Sequence, residues 1–84
     1  MTKTLTQEVF KDAPEWVKSV AIDSDGNAWG HEVNKDMLLP VPYSDRWVQN
    51  CHRDNYPHYI GSEYDTTNWQ QSAIDKDTLE DFNV

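Results

Sequence analysis

The stretch Asp23-Ser24-Asp25-Gly26-Asn27 places oxygen-bearing side chains at every second position, the spacing with which a calcium loop begins. An EF-hand loop needs ligands at positions 1, 3 and 5, a glycine at 6 and a glutamate at 12. Counted from Asp23, position 6 is Ala28 and position 12 is Asn34, and the glycine arrives early at Gly26. The flanking residues also alternate as strands do. The stretch therefore reads as the turn of a β-hairpin.

Cys51 and His52, with His58 and His31, could in principle ligate zinc. Their spacing matches no standard zinc signature, and neighbours on a strand point to opposite faces. A Cys–His nucleophile would need a lowered thiol pKa and a third, orienting group, and nothing nearby supplies them. The glycines Gly26, Gly30 and Gly61 form no phosphate loop. Carboxylates are so numerous that no pair stands apart as general acid and base. These readings predict a protein that is not an enzyme and uses no metal or cofactor.

Charge is the stronger signal. Among 84 residues, 15 Asp or Glu face 7 Lys or Arg, for a net charge of −8. That field repels phosphate and anionic membranes, so neither is an expected partner. Arg46 and Arg53 among aromatics suggest a stacking platform for nucleic acid, but the sign of the field argues against it. A basic protein surface is the favoured partner, because facing charges steer association and make it salt-sensitive. The candidate contact residues are Asp23, Asp25, Glu32, Asp36, Glu63, Asp65, Asp75, Asp77, Glu80 and Asp81. The alternative is a solvated acidic surface that serves solubility alone.

These side chains need a scaffold. The length implies one domain, 1–84, with a radius of gyration of about 12 Å. The polar start, 1–11, is expected to be an arm with a short turn, and 75–84 an acidic tail with at most a helical turn over Thr78 to Phe82. Four Trp, four Tyr and two Phe predict an aromatic-rich core despite only 37% hydrophobic residues. A single Cys excludes an intrachain disulfide. No apolar run approaches the ~20 residues of a membrane span, and the start lacks a signal-peptide core.

Asp12-Ala13-Pro14-Glu15 has helix-start chemistry. Trp16 to Asp23 and Asn27 to Val33 read as strands joined by a two-residue Asp25-Gly26 turn. That register pairs Ile22 with Trp29 and places Val20, Ile22 and Trp29 on one face. Residues 34–45 read as a connection, because Pro40 and Pro42 break pairing. Within it Met37, Leu38 and Leu39 either cover the core or contact a partner. Arg46 to Cys51 and His58 to Tyr64 read as further strands, with a bulge or close packing at Gly61. A short helix through Ile74, capped from Asp65-Thr66-Thr67, is expected, with a strand over 69–74 as the competing assignment. The fold class is α+β, mostly β: an antiparallel sheet of three to four strands with one or two short helices.

The pattern DAPEWVKSVAIDSDGNAWG, then RWV, then YIGSEYDTTNWQQSAI, resembles small acidic proteins of tailed bacteriophages over about residues 12–74. Ser72-Ala73-Ile74 stands where that group usually has a Ser-Leu-Ile ending. The stretch DAPEWVKSVAIDSDG is also similar to a hairpin of the phage uracil-DNA glycosylase inhibitor, an acidic DNA mimic, although that inhibitor's contact strand has no counterpart here. The resemblance implies a phage protein of the host cytoplasm, of the class that includes anti-CRISPR and anti-restriction inhibitors. The expected function is stoichiometric blocking of a basic, nucleic-acid-binding surface on a host defence or repair protein. The alternative is a structural or assembly accessory protein of the phage particle.

Overall fold

The computed structural model describes residues 3–50 and 55–76. They build a mostly β fold. Strands β1 (Ser19–Ile22), β2 (Ala28–His31), β5 (His58–Gly61) and β6 (Ile74–Asp75) form an antiparallel sheet in the order β5-β2-β1-β6. Strands β3 (Leu38–Val41) and β4 (Arg46–Gln49) form a separate antiparallel hairpin. The helices expected at 12–16 and 65–74 are absent. Helical content among the described residues is three 3-10 turns, Gln7–Phe10, Lys35–Met37 and Trp69–Gln71. None is long and apolar enough to cross a membrane.

The expected helix start at Asp12 gives only a turn, closed by the Val17 N–H donating to the Pro14 carbonyl at 3.0 Å. A helix of this length is not stable in itself, and Val17 is claimed by the core. Before it, the short turn expected within 1–11 is present as Gln7–Phe10, and the described residues there touch the sheet. Lys3 bridges Tyr64 in parallel, and Leu5, Val9 and Phe10 pack on the sheet. The 65–74 helix loses to local side-chain bonds. Asp65 accepts from the Thr67 amide and hydroxyl, and Ser72 Oγ donates to the Trp69 carbonyl at 2.7 Å. Such bonds satisfy the backbone outside a helix. The expectation for Thr78 to Phe82 lies outside the described residues.

The β1–β2 hairpin forms where expected but in a different register. Ile22 faces Ala28, Ala21 faces Trp29 and Val20 faces Gly30. The loop is three residues, Ser24-Asp25-Gly26, closed by the Gly26 N–H donating to Asp23 O at 3.0 Å. Gly26 has φ +89°, the left-handed residue that ends a three-residue hairpin loop. One residue of slip exchanges the faces of β2. Trp29 therefore leaves the Val20–Ile22 face, and Ala28 and Gly30 take its place.

β1 does not alternate in burial: Ser19, Val20, Ala21 and Ile22 are all buried. The reason is that both faces of the sheet are covered. Val20 and Ile22 pack with Phe10, Val17, Ala28 and Tyr64. On the other face Ala21 packs with Leu38 and Trp47 of the β3–β4 hairpin. The segment 34–45 is thus not a plain connection. Pro42 opens a turn closed by Ser44 N–H to Val41 O at 3.1 Å, the position at which proline favours a turn. Pro40 faces Trp47, whose N–H donates instead to Asp23 Oδ1 at 2.9 Å. No ladder bond is asked of the proline there. Leu38 is buried, as the core-covering reading requires, whereas Met37 and Leu39 are exposed.

β5 pairs with β2 through an irregularity. Trp29 faces Tyr59 and Ala28 faces Gly61, so Ile60 is extra. The bulge expected beside Gly61 is present. Ser72 fastens the far edge: its Oγ accepts from the Ile22 N–H at 2.9 Å. Ser72→Ala should cost about 1–2 kcal/mol, because a part-buried N–H loses its acceptor. Urea denaturation measures this directly, and an unchanged midpoint would show that the amide finds another partner.

Candidate functional site

The fold separates the acidic side chains into two kinds. Asp23, Asp25, Glu32, Asp65 and Asp75 accept hydrogen bonds from the protein itself. Asp25 takes the Asn27 N–H at 3.0 Å and its Nδ2 at 3.1 Å. Glu32 takes Gln49 Nε2 at 3.3 Å, the Asn55 N–H at 3.1 Å and Asn55 Nδ2 at 3.0 Å, tying the end of β2 to β4 and to the approach to β5. Asp75 accepts from the Lys35 N–H at 2.6 Å. Asp36 and Glu63 are exposed. Asp77, Glu80 and Asp81 lie outside the described residues, as do Cys51, His52 and Arg53.

Two of these carboxyls titrate in opposite directions. Burial raises the Asp23 carboxyl, against the Trp47 N–H that favours its charged form; Asp25 nearby raises it further and Arg46 lowers it. The Thr67 hydroxyl and amide lower the Asp65 carboxyl. An acid raised by folding holds its proton more tightly in the native state. Its cost to stability is therefore absent below the unfolded pKa and complete once pH exceeds the folded one. Asp65, lowered by folding, stabilises above its unfolded pKa and loses this as pH falls through the folded one. Asp23→Asn keeps an acceptor for Trp47 and removes the buried charge. It should raise stability at pH 7, by under about 1 kcal/mol because water still reaches the group. The gain should vanish below about pH 3, where Asp23 is itself neutral. Thermal melts at the two pH values test this, and a gain that persists in acid would assign it to something other than charge.

His31 and His58 do not converge. Gly30 faces His58 across β2 and β5, so His31, one residue on, projects from the other face of the sheet. His31 is buried, and His58 meets the Trp16 ring edge-on at 6.4 Å between centroids.

A groove of about 1180 Å³ lies beside the two hairpin turns. Asp23, Asp25 and Asp45 line it with Trp29, Arg46 and Tyr56. Two hydrogen bonds hold the turns together: Ser24 N–H to Asp45 O at 3.0 Å, and Trp47 N–H to Asp23 Oδ1. Trp29 is set by Tyr59, edge-on at 5.1 Å between centroids. Tyr56 is 80% exposed, and Tyr43, on the β3–β4 turn, is fully exposed. Asp45, Tyr43 and Tyr56 were not among the residues expected from sequence to make contact. The segment Pro42-Tyr43-Ser44-Asp45 between Leu38–Val41 and Arg46–Gln49 is a turn signal between two extended runs, and it could have found the first two. Nothing local in sequence marks Tyr56.

Comparison with known protein families, with curated proteins and with solved structures finds no match to this chain.

Proposed function

We propose that this chain is a phage-encoded acidic protein that binds a host nucleic-acid-binding defence or repair protein and blocks its basic surface stoichiometrically. One observation carries the reading: a net charge of −8 is combined with tyrosines fully or largely exposed on the same small body. Carboxylates on a small acidic protein can occupy the Arg and Lys of a nucleic-acid site in place of phosphate. Exposed aromatics supply what charge alone lacks, since tyrosine is enriched among the residues that dominate binding energy. Association is then fast at low salt and weakens as salt rises.

The test is a tagged pull-down from host lysate, washed at low and then high salt, with mass spectrometry of the retained proteins. One dominant nucleic-acid-binding protein, released as salt rises and inhibited by the purified chain at one-to-one stoichiometry, is the expected result. Recovery of the chain with phage particles and with no host protein would replace this reading by the assembly role.

A further inference from the structure

We infer that the groove between the β1–β2 turn and the β3–β4 hairpin receives an arginine side chain of the partner. The inference rests on the proposed function and names the contact at its centre. The lining residues Asp23, Asp25 and Asp45 carry three carboxylates, and Arg46 is the single Lys or Arg among them. The groove is thus anionic locally as well as belonging to an anionic protein. Its aromatic part is Trp29 and the largely exposed Tyr56. Carboxylates beside aromatic rings suit a guanidinium better than an ammonium. The guanidinium is planar, stacks on ring faces, forks toward carboxylates and sheds water more readily.

Two of the three carboxylates, those of Asp23 and Asp25, are also held in place before any partner arrives. Asp25 is fixed by its two bonds from Asn27, one to each oxygen. Each oxygen keeps a lone-pair direction for an incoming donor. Asp45 belongs to a turn that is fastened to the Asp25 turn through Ser24. Binding therefore orders little that is not already ordered, which raises affinity for a given set of contacts.

The probes are a short capped Gly-Arg repeat peptide, its Gly-Lys counterpart and its Gly-citrulline counterpart, the last isosteric with arginine but uncharged. Binding is read by calorimetry and by amide and indole NMR shifts. The Arg peptide should bind about 3-fold or more tighter than the Lys peptide and shift Trp29 and Tyr56, and replacing Arg by citrulline should abolish binding. The double variant Asp25→Asn, Asp45→Asn should weaken it about 10-fold. Both changes suit their sites. An asparagine in place of Asp25 still accepts from the Asn27 N–H and gives up only the exposed bond from Asn27 Nδ2, and asparagine tolerates the left-handed φ of 57° found at Asp45. The pair Asp36→Asn, Glu63→Gln removes the same charge elsewhere and should weaken binding by less than about 3-fold, as screened distant charges do. Should the first pair melt early, Tyr56→Ser carries the same test, with about a 5-fold loss expected. Equal losses from the two pairs, equal affinity for Lys and Arg, or shifts away from Trp29 and Tyr56 would overturn the inference. Failure here is separable from failure of the function. A basic host protein captured equally by wild type and groove variants removes the groove and keeps the function. Arg-peptide binding at the groove with no host protein captured removes the function and keeps the groove.

Discussion

Trp47→Ala should cost about 3–5 kcal/mol, the largest loss of any single substitution considered. A chain of this length has about 4–13 kcal/mol in total at typical values per residue, so the substitution should remove about a quarter of it or more. Trp47 fills the space between the β3–β4 hairpin and β1 with Leu38 and Ala21. Its indole N–H also donates to two carbonyls, Ile22 O at 3.0 Å and Trp69 O at 2.9 Å. One side chain thus joins the hairpin, the central strand and the last 3-10 turn. Trp47→Phe separates the two contributions. It keeps most of the apolar area and loses the donor, and should cost about 1–2 kcal/mol. Urea titrations of both variants give the comparison. An Ala variant within about 1 kcal/mol of wild type would mean that the hairpin is not docked through this residue.

Gly30→Ala should cost about 2–3 kcal/mol, although alanine is usually the better residue in backbone terms. A Cβ at position 30 would lie 2.7 Å from Val17 Cγ1 and 3.2 Å from Cγ2. Val17 is fully buried and β-branched, so its side chain has little freedom to retreat. The penalty is one of space, unlike that at Gly26, whose positive φ of 89° would strain any side chain. Val17→Ala alone should cost about 1–3 kcal/mol by leaving a cavity. Combining the two should recover part of both losses, because the new methyl then occupies the vacated volume. A double-mutant cycle should show coupling of at least about 1 kcal/mol. Strict additivity would mean that the sheet and the Pro14–Val17 turn do not press together as described.

How far the fold could be read from sequence depended on what kind of signal each element left. Alternation and Asp25-Gly26 marked the first hairpin, but the same dipeptide closes two- and three-residue loops. The choice was made by packing: Ala28 and Gly30, not Trp29, fit against Val20, Ile22 and Val17. β3 was hidden by Pro40, whose missing N–H reads as a break until its partner's N–H is seen to serve Asp23. The 65–74 helix was suggested by cap residues, and those residues made local bonds that left a single 3-10 turn. For the candidate site, acidity was legible by counting, whereas position was not. Asp23, Asp25, Glu32, Asp65 and Asp75 proved to be acceptors within the fold. The groove brings together Trp29, Asp45 and Tyr56 from three separate segments, and no local pattern foretells such a meeting.

The Ser72–Ile22 fastening has a bearing on how the chain reaches this fold as it is made. Its two ends lie 50 residues apart, and β6 follows closely on Ser72. On a ribosome, β1 and β2 can close their hairpin early, yet the other side of β1 has nothing to pair with until residues 72–75 have emerged. For that interval a strand destined for burial on both faces presents an open hydrogen-bonding edge, the feature through which nascent chains stick to one another. Yield in a cell should therefore depend on the pace of synthesis through the later segments as much as on the stability of the finished protein.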